Sequence, residues 1–555
     1  MLVQKQSRSR SVVLFGLLLG ACSGDITGPG NNPSSGTGGS NNPGTGMNGG
    51  QGGSIETPDP GEFSTGPGLR RLTRTEYAYT VEDLLGWKPE RSAIPAELIV
   101  QSHSFIAGAQ KVGYDDNEKY YNLADQAATF AAPRLMGGLN CQTPACYTDY
   151  TRAFLLKAFR APPEDALVAT YAGILQDAKA GDTATERLET FLTTTLTSPH
   201  FLYRKELGTA QSGRSRTLDN YEVASRLSYL VWQSAPDAAL FESAAAGKLL
   251  TPAGRLAELQ RMLKDGKANR GLRSFSSDWM ALFYNAIPKK DPAVLKDTDA
   301  NLATSAERGF GLLVDEVLGG AGATFSDLLT ADHVMADAAL AKVLGLKHSG
   351  TDFMRLPLDT TSHRGALTHP LVISAHSKEG GASPFPIGKF IYENVLCEVI
   401  PPPAMVFPKI EDVPEGLSLR QRLENMTKDA PCSSCHVRIG PPGFAFLPFD
   451  PIARFSRNDL SGKPFDTTGT LLLPDETKMP FDGAADMASK LAAQPSVQSC
   501  IATRLFRFAQ GRFESDADKT DLKAATDSAK RTATDVAQLL TALVGGKTFS
   551  EVLVK

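Results

Sequence analysis

The 555-residue sequence predicts a mainly α-helical body of several modules, with irregular Pro-rich connections and a C-terminal segment that carries a C-x-x-C-H motif. Three observations favour this fold class. Helix-start motifs followed by apolar residues at helical spacing recur from residue 72 to residue 543. Alternating apolar and polar runs, which are typical of strands, are scarce. Proline-rich stretches such as residues 399–403 separate the helical segments.

The composition is that of an ordinary globular protein with a nearly balanced charge. There are 57 Lys and Arg residues against 61 Asp and Glu residues, which gives a net charge of −4. Hydrophobic residues make up 41% of the chain, enough for a sizeable core, and the length fits about three to five domains. Because no basic excess is present, we expect no nucleic-acid partner.

The N-terminus predicts export and a lipid anchor. Basic residues precede the apolar run 12–19, which is too short to cross a bilayer and is typical of a signal peptide. Small residues stand directly before Cys22, as in a bacterial lipobox, so residues 1–21 are predicted to be removed and Cys22 to be lipidated. Ser23 favours the outer membrane over the inner one, with the body in the periplasm or at the cell surface. The alternative is a plain secretory signal.

Residues 22–68 are predicted to be a disordered tether. They consist mostly of Gly, Asn, Pro, Ser and Thr. Such a segment cannot bury enough apolar surface to offset its chain entropy. The folded body is therefore expected to begin at residue 69.

Capping motifs predict where helices of the body begin. In a capping box, an N-cap side chain and an acidic or amide side chain three residues later bond each other's backbone N–H. Such pairs are Thr73 with Glu76, Asp219 with Glu222, and Ser418 with Gln421. Gly86 is a natural end for the first of these helices. Near the C-terminus, apolar residues at 536, 539, 540 and 543 follow helical spacing.

The cysteines indicate chemistry. Cys141 and Cys146 are close enough to form a local disulfide in an oxidising compartment. Cys432, Cys435 and His436 form C-x-x-C-H, the pattern of covalent c-type haem attachment. Two thiols at this spacing can add to the two vinyl groups of one porphyrin, and the next histidine can ligate the iron. The composition predicts only about 0.001 such matches in a chain of this length.

Other interpretations of the C-x-x-C-H segment stay open. These are a redox disulfide, a purely structural disulfide and a zinc site, although a second ligand pair for zinc is missing from the sequence. If one covalent haem c takes Cys432 and Cys435, then Cys397 and Cys500 remain and can pair with each other.

The sixth haem ligand is predicted to be Met479, 43 residues after His436. Met487 and a cluster of histidines are alternatives, as is a five-coordinate iron. The histidines are His363, His369 and His376. Five arginines could pair with haem propionates or could form a solvated basic surface: Arg454, Arg457, Arg504, Arg507 and Arg512.

Five stretches resemble, in order, the modules of the planctomycete cytochrome-type family of exported multi-module proteins. The stretches are RLTRTEYAYTVEDLLG, FLLKAFRAPPEDALVATY with FLTTTLTSPHFLYRKEL, LDNYEVASRLSYLVWQSAPDAALFESA, the region from RGALTHPLVISAH to CSSCHVRIGPPGFAFLPFD, and SCIATRLFRFAQGR. The resemblance covers nearly the whole body. It implies export, helical modules of unknown function and a haem c, but no assigned reaction. The sequence has Ile439-Gly440-Pro441 where the family has Ile-Asp-Pro.

These features predict a domain order and a function. The modules are expected at 69–150, 151–212, 213–350, 351–470 (C-x-x-C-H) and 471–555. The predicted function is extracytoplasmic electron transfer or oxidation by a lipid-anchored c-type haem protein. Its partner would be a redox protein or a polymer such as a polysaccharide. The alternative is a non-enzymatic surface module that binds carbohydrate or protein, with a structural Cys432–Cys435 disulfide.

Overall fold

Helix-start signals in the sequence coincide with helix N-termini in the structure. The computed structural model describes residues 68–139, 141–177, 182–381, 384–400, 416–429, 432–459 and 462–554. The predicted signal peptide, Cys22 and nearly all of the predicted tether lie outside these residues. All three predicted capping boxes are confirmed, and the first helix ends at Gly86 in a left-handed conformation with φ of 71°. The mainly α fold class is confirmed.

The first third of the body packs around one hydrophobic core. Its elements are β1 (Gly68–Arg71), α1 (Arg74–Leu85), α2 (Tyr114–Met136), α3 (Pro144–Phe159), α4 (Asp165–Gln176), α5 (Ala184–Thr197), α6 (Pro199–Leu202) and β2 (Tyr203–Glu206). Helix α2 lies along α5 through a stripe of alanines, which lets the two helices approach closely. Strands β1 and β2 pair antiparallel with Arg70 opposite Arg204.

The middle of the body holds two fully buried tryptophans, Trp232 and Trp279. Its elements are β3 (Ala210–Ser212), β4 (Ser215–Thr217), α7 (Asn220–Trp232), α8 (Ala238–Ala245), α9 (Pro252–Met262), α10 (Ala268–Trp279), α11 (Pro292–Leu295), α12 (Leu302–Leu318), α13 (Phe325–Thr330), β5 (His333–Ala336), α14 (Ala338–Val343) and β6 (Met354–Pro357). Helix α7 is almost entirely buried and packs on α10. Strands β5 and β6 form a separate antiparallel pair.

The last part carries the C-x-x-C-H segment and returns the C-terminus to the middle of the body. Its elements are α15 (Pro370–Ala375), α16 (Pro384–Phe390), α17 (Leu419–Thr427), α18 (Ser433–Phe444), β7 (Thr468–Leu472), β8 (Lys478–Asp482), α19 (Gly483–Ala492), α20 (Pro495–Gln510), α21 (Lys519–Arg531), α22 (Val536–Gly545) and β9 (Glu551–Leu553). Strand β9 pairs with β4. Within the described residues, no helix has the length and apolar character needed to cross a bilayer.

Candidate functional site

The C-x-x-C-H residues occupy the start of α18. Cys432 is the N-cap, Cys435 and His436 lie in the first turn, and the His436 N–H donates to the Cys432 carbonyl at 3.1 Å. Residues three and four apart lie on the same face of a helix. The two half-buried cysteines and the imidazole therefore face the same side, and no disulfide joins Cys432 to Cys435.

The imidazole of His436 is held by an aromatic neighbour and not by a hydrogen bond at its Nδ1. The ring of Phe385, in α16, meets it at right angles with 4.1 Å between ring centroids. The Nδ1 atom is buried without a hydrogen-bond partner. Burial lowers the pKa of His436, which favours the neutral ring and leaves a lone pair for a metal.

Glycines set the distance between α16 and α18. A Cβ at Gly388 would overlap the carbonyl oxygen of Ile439, and a Cβ at Gly443 would overlap that of Pro384. The helices can therefore approach this closely only because both positions lack a side chain. This approach brings Phe385 against His436, so the packing of α16 fixes the position of the imidazole.

The donor set at α18 fits covalent haem c. Two thiols share a helix face with a neutral imidazole that has an unpartnered nitrogen. The small cavity beside α18, lined by Ile387 and Gly443 among others, holds only about 10 Å³, so the fit depends on the donor atoms and not on a cavity. Residues 401–415 and 430–431, adjacent to this region in sequence, lie outside the described residues.

The candidate distal ligands lie in the core. Met479 is on β8 opposite Leu471, is 6% exposed and belongs to the main hydrophobic core. Among the candidate histidines, His363 and His369 are buried and His376 is half-buried, and each has a partner at one ring nitrogen. The partners are the Ser362 hydroxyl at 2.8 Å for His363, the Leu371 N–H at 3.2 Å for His369 and the Met280 carbonyl at 2.9 Å for His376.

Both predicted disulfides are confirmed. Cys141, in the loop before α3, is bonded to Cys146 in the first turn of α3. Cys397 is bonded to Cys500, which links the region after α16 to the middle of α20. These bonds account for four of the cysteines in the described residues.

Three of the C-terminal arginines do not form a solvated basic surface. Each of the three pairs with a carboxylate within the fold, and Arg504 is only 1% exposed. Their carboxylate partners are Asp278 for Arg504, Glu514 for Arg507 and Asp518 for Arg512. The imidazole of His103 lies beside this set, with Nδ1 3.1 Å from Asp278. These arginines therefore stabilise the fold. Asp278 lies 226 positions from Arg504, too distant in sequence to predict, whereas Glu514 and Asp518 lie seven and six positions from their arginines.

The role of Phe385, which lies 51 positions before His436 and contacts its imidazole, was not predicted from the sequence. The available signal was its place in GASPFPIGKF, a glycine- and proline-rich run just before a helix. Such a run indicates close packing, but it does not identify the partner.

Five families match the chain in series. Each is described as a protein of unknown function: DUF1587 at residues 70–133, DUF1595 at 146–206, DUF1592 at 218–346, DUF1588 at 363–459 and DUF1585 at 478–549. The C-x-x-C-H segment lies within the DUF1588 match. No curated protein and no solved structure matches the chain. With the five modules present in this order across the body, the chain belongs to the planctomycete-type multi-module family.

Proposed function

We propose that this protein is an exported, lipid-anchored c-type haem protein that transfers electrons outside the cytoplasm. One observation carries the proposal: Cys432, Cys435 and His436 share the first turn of α18, and the buried Nδ1 of His436 has no hydrogen-bond partner. An unsatisfied buried nitrogen is costly, and a bond to a metal or to a group that arrives with it would remove the cost.

Cys432 and Cys435 would hold the haem through thioether bonds, and His436 would be the proximal iron ligand. The bound haem supplies one-electron redox chemistry. The chain orients the imidazole through the Phe385 ring and keeps it neutral by burial. The close packing of α16 on α18 holds the Phe385 ring against His436 in the first turn. Met479 remains the proposed distal ligand.

The proposed location of the protein rests on the predicted signal peptide and is supported by the disulfides. Two disulfides in one chain are typical of an oxidising compartment. We place the body in the periplasm or at the cell surface, anchored through Cys22 to the outer membrane. A redox protein or an oxidisable polymer such as a polysaccharide would be the partner.

The proposal is tested by an assay for covalently attached haem. The full-length protein would be produced in a host with an active cytochrome c maturation system and assayed by denaturing gel, haem stain and absorbance. We expect one covalent haem in the wild type and none in the Cys432→Ser/Cys435→Ser variant. Ser433→Ala, between the two thiols, is the matched control and should keep the haem.

Two results would contradict the proposal. One is a wild-type protein without a Soret band under these conditions. The other is peptide mapping that finds Cys432 bonded to Cys435 in the exported protein. The second result would favour the non-enzymatic surface module instead.

A further inference from the structure

A large cleft lies where several of the family segments meet. It has a volume of about 810 Å³, within the range of small-molecule sites. Its wall combines β1 and α1, strand β2, helices α7, α10 and α12, and Phe508 of α20. These elements belong to four of the five family matches, and Leu371, also in the wall, belongs to the fifth, so the cleft exists only when the modules are assembled in one body.

Cationic side chains are numerous in the wall of the cleft. Nine arginine and lysine side chains line it against five carboxylates, and four of the nine pair with carboxylates behind the wall: Lys88 with Glu82, Arg226 with Glu206, Arg270 with Asp83 and Arg273 with Asp315. The whole chain carries a net charge of −4. In a concave site, the cations that no carboxylate neutralises focus the potential and attract anions.

The buried end of the cleft places like charges side by side. Arg70 and Arg204 are directly opposite each other in the β1–β2 pair, an arrangement that is unfavourable by itself. Arg226 is a third buried guanidinium beside them, and Glu76 and Glu206 are the only carboxylates in ion pairs with these three arginines among the described residues. One positive charge in this buried group therefore has no counterpart.

Arg204 is the arginine whose donors are unused. Arg70 donates to the carbonyls of Phe508 and Ala509, and Arg226 donates to Glu206 and to the carbonyl of Phe549. Arg204 is 2% exposed, and its Nε and Nη2 have no hydrogen-bond partner, although Nη2 lies 3.2 Å from a Glu76 oxygen. Buried guanidinium donors without acceptors are costly, and a bound oxyanion would satisfy them.

An exposed arginine extends the basic wall toward solvent. Arg308, on α12, lines the cleft and makes no ion pair with any described residue. Its guanidinium lies 4.8 Å from the centre of the Phe353 ring. Arg308 can therefore contact a ligand without giving up a carboxylate.

We propose that this cleft binds a small organic oxyanion, a molecule whose carboxylate or phosphate oxygens accept from the Arg204 donors and are attracted by Arg308. Guanidinium groups recognise both kinds of oxyanion through paired N–H donors. The site is separate from the C-x-x-C-H segment, and its function does not depend on haem.

The test is calorimetric titration of the full-length protein with four probes. Citrate and D-galacturonate carry carboxylates, glucose 6-phosphate carries a phosphate, and D-galactose is the neutral control. We expect binding of at least one anionic class that weakens as salt is added, and no binding of D-galactose. Arg204→Gln should weaken binding at least about tenfold and Arg308→Gln about threefold to tenfold.

Arg531→Gln, an exposed substitution on α21 outside the cleft, is the matched control and should bind like the wild type. If circular dichroism shows that Arg204→Gln does not fold, the binding measured for the exposed Arg308→Gln variant decides the test. Binding of carboxylates alone would identify an organic or sugar acid, and binding of the phosphate alone a phosphorylated ligand. The proposal is overturned if no anionic probe binds at 10 mM, if D-galactose binds equally, or if Arg308→Gln binds like the wild type.

Discussion

At the residue scale, burial decides the protonation of single histidines. Burial lowers the pKa of His103 to about 4, with the positive charge of Arg504 as a second cause. Burial alone lowers the pKa of His369 to about 3, and burial lowers that of His376 to about 4. All three are therefore neutral in the folded protein at neutral pH. In the unfolded chain they take up protons near pH 6.5.

The pH dependence of stability follows from this difference. Between about pH 3–4 and pH 6.5 the unfolded state binds more protons than the folded state, so the free energy of unfolding rises with pH across this window. Glu206, whose pKa is held at about 2 chiefly by Arg226 and Arg70 against the effect of burial, acts in the same direction below pH 4.5. Acidification is therefore expected to destabilise the protein in two successive ranges.

His369→Asn tests the contribution of one histidine. Asparagine can keep the N-cap hydrogen bond that His369 accepts from the Leu371 N–H, but it does not titrate. We expect the loss of unfolding free energy between pH 7 and pH 5 to be ~2 kcal/mol smaller in this variant than in the wild type. Urea unfolding at several pH values measures it. Curves of unfolding free energy against pH that run parallel for the two proteins would contradict the assignment, whatever constant offset lost packing puts between them.

At the element scale, local sequence accounts for where helices begin but not for which helices touch. Thr73 and Glu76 identify the start of α1 because a capping box involves only four consecutive residues. The contact of Phe385 with His436 joins residues 51 positions apart, and that of Arg504 with His103 joins residues 401 apart. Such contacts depend on the packing of whole elements, which no local pattern encodes.

Gly388→Ala tests the close approach of α16 to α18. The new methyl group would overlap the Ile439 carbonyl oxygen, so the helices must separate, at a cost of ~2–3 kcal/mol. Because the separation moves Phe385 away from His436, we also expect less covalent haem per protein. Thermal unfolding and the haem-stain intensity measure the two effects.

Gly440→Ala is the matched control for this prediction. It lies in α18 itself, and its new methyl group would lie 3.4 Å from the Phe444 ring and 3.9 Å from the Phe385 ring, both ordinary van der Waals contacts. Its stability should be unchanged or raised by up to about 1 kcal/mol, since alanine favours helix. Equal melting temperatures for Gly388→Ala and Gly440→Ala would show that the approach of the two helices does not depend on glycine.

At the scale of the whole molecule, the family modules do not each have a core of their own. One core contains residues of the DUF1587 and DUF1595 segments together with Tyr229 of the DUF1592 segment. A second runs from Val100 to Val552 and contains residues of the other three segments as well as of DUF1587. The sequence predicted five helical modules in order, but shared cores arise from contacts between modules.

The Cys397–Cys500 disulfide is expected to stabilise this shared core more than Cys141–Cys146 does. It closes a loop of 103 residues between the DUF1588 and DUF1585 segments, whereas the other closes a loop of five. Loop-closure entropy predicts about 4.7 kcal/mol for a loop of roughly 100 residues and about 2 kcal/mol for the short one. Removing the Cys397–Cys500 bond should therefore lower the free energy of unfolding by ~2–3 kcal/mol more than removing the Cys141–Cys146 bond does.

The comparison uses two double variants, Cys397→Ala/Cys500→Ala and Cys141→Ala/Cys146→Ala, measured by denaturant unfolding beside the wild type. Fluorescence of the three tryptophans, of which Trp232 and Trp279 are buried in the second core, follows the region that the long-range disulfide closes. The first variant should unfold at clearly lower denaturant than the second. Equal midpoints would mean that the contacts between modules alone hold this core together, without help from the covalent link.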